Sequence, residues 1–282
     1  MLTEKQIEER RGWIGASDAA AILGISPFQS AYDVWAMKTG RVPANPGTPA
    51  TRAGDRLEEV AILYAEDELG PIERNVVAPH PDIPFIRSQL DGVVVSSGSP
   101  VDGKTAGILN PFYVSDVWGE ADTEDVPDWY YTQILVQMAC KGVDTGYISA
   151  LIGGRGANLY AIKMNFELAH IALDELVFFW ENHVLTDTPP ENSLPSEETI
   201  KRLRRVPGKV VQIPPGLVTE RQRLRKELSA LEKQFKEADQ RVKAALGDAE
   251  GGAGDGFDLT YKMQHRGPVG PSDFRVLRVK GE

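Results

Sequence analysis

The sequence predicts a mixed α/β fold, and three observations carry that reading. Amphipathic helical segments alternate with strand-like runs over roughly residues 1–188; glycine and other turn residues stand at the junctions; and the composition is that of an ordinary globular chain. Of 282 residues, 41% are hydrophobic and 26% charged, enough for one large domain with an appendage.

In chain order, Ser17 stands as N-cap of a short helix to Leu23, stopped by Gly24, and Ala31 to Thr39 forms a second, stopped by Gly40. Residues 49–69 place Ala53, Leu57, Val60, Ala61 and Tyr64 at helical spacing, with Gly70 as the stop. Ile72–Val77, Phe85–Val95 and Val101–Lys104 read as strands separated by turn residues such as SSGS at 96–99. Asp128 to Lys141 is a helix closed by Gly142. Gly146–Ile152 and Leu159–Met164 flank GGRGA as a hairpin, and residues 166–185 return to helical spacing with Leu168, Ile171, Leu176, Phe179 and Val184.

The remainder has another character. Pro189, Pro190, Pro195, Pro207, Pro214 and Pro215 mark residues 189–216 as a connector. Residues 217–246 then carry Leu224, Leu228, Leu231, Phe235, Ala238, Val242 and Leu246, the spacing of a coiled-coil seam. Glu232 with Lys236 and Asp239 with Lys243 would support that helix from its exposed side. A helix packed on its own domain fits the same pattern. GDAEGGAGDG reads as a flexible linker, and Phe257–Gln264 with Phe274–Lys280 as a terminal hairpin.

The chemistry-bearing stretch is LDGVVVSSGSPVDGKT, residues 90–105. Side chains alternate along a strand, so Asp102 and Lys104 point one way and Gly103 the other. Pairing with the strand that ends at Val95 would set Asp91 beside Asp102. Two carboxylates and a backbone carbonyl form an all-oxygen site suited to Mg²⁺, with Mn²⁺ as a substitute. A neighbouring lysine can position or deprotonate an attacking water and offset charge on a phosphate. Gly98 to Thr105 also fits the phosphate-cradling pattern G-x-x-x-x-G-K-[ST]. A nucleotide-binding loop should lead into a long helix, whereas Asn110 and Pro111 follow closely here.

Several motifs follow in a specific order: RRGWIGASDAAAILGISPFQSAYDVWAMKTG, AGDRLEEVAILYAEDELG, FIRSQLDGVVV, VDGKT, VWGE, VPDWYYTQILVQMACKG and FFWENHV. Across most of residues 8–185 this order resembles the YqaJ-like viral recombinase family, relatives of lambda exonuclease. The resemblance implies a restriction-endonuclease-like PD-(D/E)XK core, a mixed central sheet flanked by helices, that digests double-stranded DNA from a 5′ end. It implies Asp91 as the metal-bridging aspartate, Asp102 where the family usually has glutamate, and Lys104 as the catalytic lysine. Glu58 matches a helix glutamate that supports the metal site, and Gln133 a glutamine that orients the lysine or the water. The carbonyl of Gly103 would complete the metal ligands. Arg10 and Ser17 align with residues that hold the 5′-phosphate, with Arg11 adjacent to the former. The family further implies DNA ends as substrate, a single-strand annealing protein as partner, a ring of three subunits, and a phage or prophage gene in a bacterial host.

A net charge of -10 argues against a sequence-independent DNA coat, yet a metallonuclease tolerates it, because a basic groove can coexist with an acidic exterior. The single cysteine, Cys140, excludes a disulfide framework and a four-cysteine metal site. His80, His170, His183 and His265 show no ligand spacing, and no G-x-S-x-G elbow is present. Apolar stretches fall short of a membrane span and the first residues are too charged for a secretory signal, so the cytoplasm is expected. Two other functions fit parts of the sequence: a nucleotide-binding protein using Gly98–Thr105, and a DNA-end-binding scaffold whose nuclease site has decayed. The helix at 217–246 could serve self-association, partner docking or a clamp over DNA.

Overall fold

Apolar residues placed at alternate positions bury one face of the strand Ile86–Val94, with Ile86, Ser88 and Leu90 fully covered while Arg87 and Gln89 face outward. This strand is the hub of a six-stranded mixed sheet. The computed structural model describes residues 9–43, 49–107, 118–121, 123–153, 156–265 and 273–280. They fall into two units, Met1–Arg205 and Val206–Glu282.

In the first unit, a short strand β1 (Ile14–Gly15) leads through a 3-10 turn (Ala16–Asp18) into α1 (Ala19–Ile22) and then α2 (Ala31–Lys38). A longer helix α3 (Pro49–Leu69) precedes β2 (Ile72–Pro79), β3 (Ile86–Val94) and β4 (Pro100–Ala106). Helix α4 (Asp128–Lys141), the hairpin β5 (Thr145–Ile152) and β6 (Gly156–Lys163), α5 (Phe166–Phe179) with a π-helical last turn (Trp180–Val184), and α6 (Glu197–Arg202) complete it. Ser30 caps α2 by accepting the Asp33 N–H, while Asp33 accepts that of Ser30, a reciprocal capping box. Gly142 ends α4 in the left-handed region at φ 65°, a conformation that glycine adopts without a Cβ clash.

The sheet runs β1–β3–β4–β5–β6, with β2 on the other edge of β3. Arg87 pairs with both Gly15 and Pro79, and Gly92 with both Arg74 and Val101, so β1 and β4 share one edge of β3. β1 is parallel to β3 and meets it at Ile86 and Arg87, whereas β4 is antiparallel and meets it at Gly92 and Val93. A fork therefore opens along that edge between residues 88 and 91. β4 and β5 are parallel from Val101↔Tyr147 to Ala106↔Ile152.

Helices cover both faces. Ile62 and Ala65 of α3 pack with Ile72, Val94 and Val101 on one side. Ile134, Leu135 and Met138 of α4 pack with Ile148, Ala150, Ile152, Tyr160 and Ile162 on the other. Burying an isoleucine in such a cluster contributes about 2 kcal/mol.

Four local expectations are corrected. Ser17 lies inside the 3-10 turn and caps nothing; Asp18 accepts the Gly15 N–H at 2.9 Å instead. The buried face of α3 is Ala61, Ile62 and Ala65, not Val60, which is exposed because the stripe is rotated by about one residue. In α5, Ala169 and Ala172 are buried while Leu168 and Ile171 are exposed; small residues let that helix approach α4 closely. The connector is in part structured. Ser193 Oγ accepts the Tyr32 N–H, Asp33 accepts the Ser196 N–H, and Thr199 of α6 is buried, so residues up to 205 join the first unit.

The second unit consists of α7 (Pro215–Leu246) and a three-stranded antiparallel sheet, β7 (Gly251–Gly254), β8 (Phe257–His265) and β9 (Asp273–Lys280), in that order. The hairpin expectation gains a third strand, because the glycine-rich stretch read as a linker supplies β7, pairing Gly251–Gly254 with Phe257–Thr260. Among the described residues no helix is long and apolar enough to cross a membrane.

Candidate active site

The fork in the sheet is where the polar residues gather. Asp91 sits one residue before the β3–β4 pairing at Gly92↔Val101, and its Oδ2 accepts the backbone N–H of Gly103 at 3.0 Å. The register thus brings Asp91 alongside Asp102, as strand alternation requires. Asp102 is 1% exposed, and a carboxylate this deep needs partners. Gln133 Nε2 and Gln137 Nε2, one turn apart on α4, both donate to its Oδ1, at 2.8 and 2.9 Å. Its Oδ2 is paired with Lys104 Nζ. The lysine ammonium also lies 5.0 Å from the Tyr130 ring centroid, a cation–π contact from the same helix.

Glu58 reaches the cluster from the opposite layer. Gly103 points toward α3, and a Cβ placed there would stand 2.9 Å from Glu58 Cγ and 3.2 Å from its carbonyl oxygen. Only glycine allows that approach. Asp91, Asp102, Lys104, Glu58 and Gln133, all read from the sequence, are therefore brought together.

The electrostatics follow from three acids against one base. Burial, the Asp102 charge and Glu58 raise the Asp91 carboxyl to about 8, against the lowering effects of Lys104 and the Gly103 N–H. Burial and nearby carboxylates likewise raise Glu58. Burial pulls the Lys104 ammonium down, but Asp102 and Asp91 outweigh it and hold it above its ordinary value. Lys104 is thus charged at neutral pH, so of the two roles expected for it the geometry favours positioning and charge compensation over deprotonation.

The donor set suits a hard divalent cation, because it is all oxygen and carries excess negative charge. Among the described residues no three acidic, histidine or cysteine side chains converge as a ready ligand shell. Asp91, Asp102 and the Gly103 carbonyl would have to supply it, and Asp102 Oδ2 would have to turn from Lys104.

Arg10 and Ser17 stand apart from this cluster. Neither shares a hydrogen bond or ion pair with it among the described residues. They lie on the segment around β1, which points along β3 toward the fork, and Asp91 is four residues past the Gly15↔Arg87 pair, about 13 Å along the strand. A second buried network fixes this segment. Lys38 Nζ pairs with Asp18 at 2.7 Å and donates to the Arg10 carbonyl at 3.1 Å, and both Lys38 and Arg10 lie 5.5 Å from the Trp13 ring centroid. Burial alone would raise Asp18, but Lys38 overcomes it and holds the carboxyl below its usual value.

The sequence reading passed over Gln137, Tyr130, Asp18 and Lys38. Gln137 had a signal: it interrupts ILVQMAC, a run in which every residue from Ile134 to Met138 is buried. The nucleotide-cradle reading of Gly98–Thr105 is overturned. Residues 100–106 are an extended inner strand, and Lys104 is locked against Asp102 rather than presented at a helix N-terminus.

Comparison with known proteins bears on the family and the fold. The sequence profile of the YqaJ-like viral recombinase domain matches residues 7–147, half of the chain, a stretch that includes every residue of the cluster. The uncharacterized protein YqaJ of Bacillus subtilis (strain 168) is 26% identical over 277 residues, covering 93% of this chain and 84% of the relative. Among solved structures, LHK-Exo in complex with dAMP superposes with a TM-score of 0.50 at 19% identity, covering 66% of this chain and 94% of that one. A second structure of LHK-Exo, an alkaline exonuclease from Laribacter hongkongensis, gives a TM-score of 0.49 at 18% identity over the same shares, 66% and 94%. The fold is the restriction-endonuclease-like one expected from the sequence.

Proposed function

The chain belongs to the YqaJ-like viral recombinase domain family, and on that premise we propose that it is a Mg²⁺-dependent exonuclease degrading one strand of linear duplex DNA from its 5′ end. The observation that carries this reading is the convergence of Asp91, Asp102 and Lys104 at the fork between β1 and β4, with Asp102 held by two glutamines. The alkaline exonuclease with the same fold, seen with a deoxynucleotide in LHK-Exo, supports the substrate class.

Asp91, Asp102 and the Gly103 carbonyl would hold the metal, with Glu58 supporting Asp91. Once bound, such an ion polarises a phosphate oxygen and acidifies an attacking water. Lys104, kept charged by its neighbours, orients that water and offsets charge growing on the phosphate. Gln133 and Gln137 hold Asp102 in one rotamer, so its free oxygen is aimed when Lys104 releases it. Glu58, raised by burial and standing in the α3 layer beside Asp91, would accept a proton from the water. Ser17, carried toward the fork by β1, and Arg10, held over Trp13 in the same segment, would grip the terminal phosphate and set the polarity. Asp102 is one methylene shorter than the family's usual glutamate; the glutamines reaching down from α4 compensate for the shorter acid. An annealing protein, a cytoplasmic site of action and assembly around DNA belong to the same proposal.

The experiment is digestion of linear duplex DNA bearing a 5′-phosphate on one end only, with Mg²⁺, with Mn²⁺ and with EDTA. Metal-dependent loss of the phosphorylated strand is expected. DNA that is bound but left intact with both metals would replace this reading with the decayed-site scaffold.

A further inference from the structure

No residue of α7 is buried, although the helix carries a continuous apolar seam. Leu217, Leu224, Leu228, Leu231, Phe235 and Val242 are all exposed, with Phe235 at 73%. Numbered as heptads, Arg221, Leu228, Phe235 and Val242 occupy a positions, while Leu217, Leu224, Leu231, Ala238 and Ala245 occupy d. The 32 residues extend about 48 Å, some four heptads, which is long enough for a stable pairing. We propose that this seam is a homotypic interface, in which α7 of a second copy of the chain packs antiparallel to the first.

Charge complementarity selects both the occupant and its direction. In a parallel in-register pair, the e and g positions would match Glu220 with Arg225 of the second copy, but two contacts fail: Glu227 faces Glu232, and in the core Arg221 faces its own counterpart. Both contacts are repulsive. An antiparallel pair whose centre lies between Ser229 and Ala230 has neither fault. Its core layers are Leu228 with Leu231, Leu224 with Phe235, Leu217 with Val242, and Arg221 with the small Ala238, beside which a long stem can reach solvent. Its flanks set Arg225 against Glu232 and Glu220 against Arg241, each twice by symmetry, with no like-charge pair.

The intrahelical contacts leave one flanking pair, Arg225 with Glu232, available. Arg223 is spent on Glu220 and Glu227, at 2.7 and 2.5 Å, and Lys243 on Asp239 at 2.6 Å. Among the described residues neither Arg225 nor Glu232 forms an ion pair. A helix so long and so apolar on one stripe, with its best flanking charges unspent, matches its own reversed copy better than its parallel one.

The test is the sedimentation mass of the full chain in three forms, with circular dichroism to confirm equal helix content: wild type, Arg225→Glu, and Arg225→Glu/Glu232→Arg. The wild type is expected to be an even-numbered assembly. The single substitution should halve its mass, and the double swap should restore it. A fourth form, Glu232→Arg alone, reads the direction: it sets two arginines together in the antiparallel pair and should halve the mass, whereas in a parallel pair it would match Glu227 and leave the mass intact. A single-chain mass for the wild type, or a mass that Arg225→Glu leaves unchanged, overturns the interface and leaves the seam to another protein or to the chain's own first unit. A mass lost in Arg225→Glu and not regained in the double overturns the antiparallel register.

Discussion

The fork at Asp91 and the seam of α7 break the rule of apolar inside, charged outside in opposite senses. At the fork, three carboxylates and a lysine are enclosed and spend their charge on one another. Along α7, seven large apolar side chains stand in solvent on a helix with no buried residue. Each departure is costly to the chain alone, and each marks a place where something outside the chain is expected to complete the structure. The fork lacks positive charge, which the proposed metal ion would bring. The seam lacks an apolar surface, which a second helix brings.

The largest effect should come from removing the lysine at the fork. Lys104→Ala is expected to slow nucleotide release from linear duplex DNA on the order of 10³-fold, with duplex binding retained in a gel-shift assay. An unchanged turnover would remove Lys104 from the chemistry and break the comparison at its strongest point.

The enclosed acids should next show in stability against pH. The Asp91 carboxyl lies near 3.8 when unperturbed and at about 8 in the fold, so between those values the folded chain keeps a proton that the unfolded chain has released. Stability therefore falls as pH rises through that window, by a few kcal/mol at about 1.4 per unit. In EDTA, Tm should drop between pH 5 and pH 9, Asp91→Asn should flatten the slope, and Mg²⁺ should restore Tm at the alkaline end. A wild-type slope equal to that of Asp91→Asn would show that Asp91 does not carry the charge excess.

The two glutamines sharpen the picture. Losing either Gln133 or Gln137 to leucine should lower kcat about tenfold, and losing both about a hundredfold, since Asp102 Oδ1 then has no donor. An inert Gln137→Leu would return that residue to the core. The smallest effect belongs to the seam. Leu231→Ala should change the chemical stability of the dissociated chain by less than about 0.5 kcal/mol, whereas Ile148→Ala, fully buried, should cost about 3 kcal/mol by urea titration.

These contrasts also explain what could be read in advance. Strand alternation set Asp102 and Lys104 on one side, pairing of adjacent strands set Asp91 beside Asp102, and Gly142 marked the end of α4 to the residue, because all three depend on local backbone geometry. The same glycine logic failed at Gly251–Gly254, where pairing with β8 supplies an order that composition hides. The α3 stripe, right at Ala61, was otherwise misplaced because Leu57, Val60 and Tyr64 look more apolar than Ala65, and only a closely approaching sheet explains why small residues lie inside. Gln137 was missed because a polar residue on a helix looks like surface until the helix is known to be covered. Ser17 and Arg10 were legible only through family resemblance; the Lys38–Asp18 pair that fixes their segment is twenty residues apart and has no local signature.

Gly103 stands between the two acting residues of its strand yet faces away from them, onto Glu58. Its missing methyl sets the distance between the α3 layer and the sheet, and so decides whether a carboxylate from one layer can serve chemistry in the other. In a saturation library this position should be the least permissive of the three in Asp-Gly-Lys, with even alanine rejected. A position with no side chain to offer DNA or metal would then rank, by tolerance alone, beside those that have one.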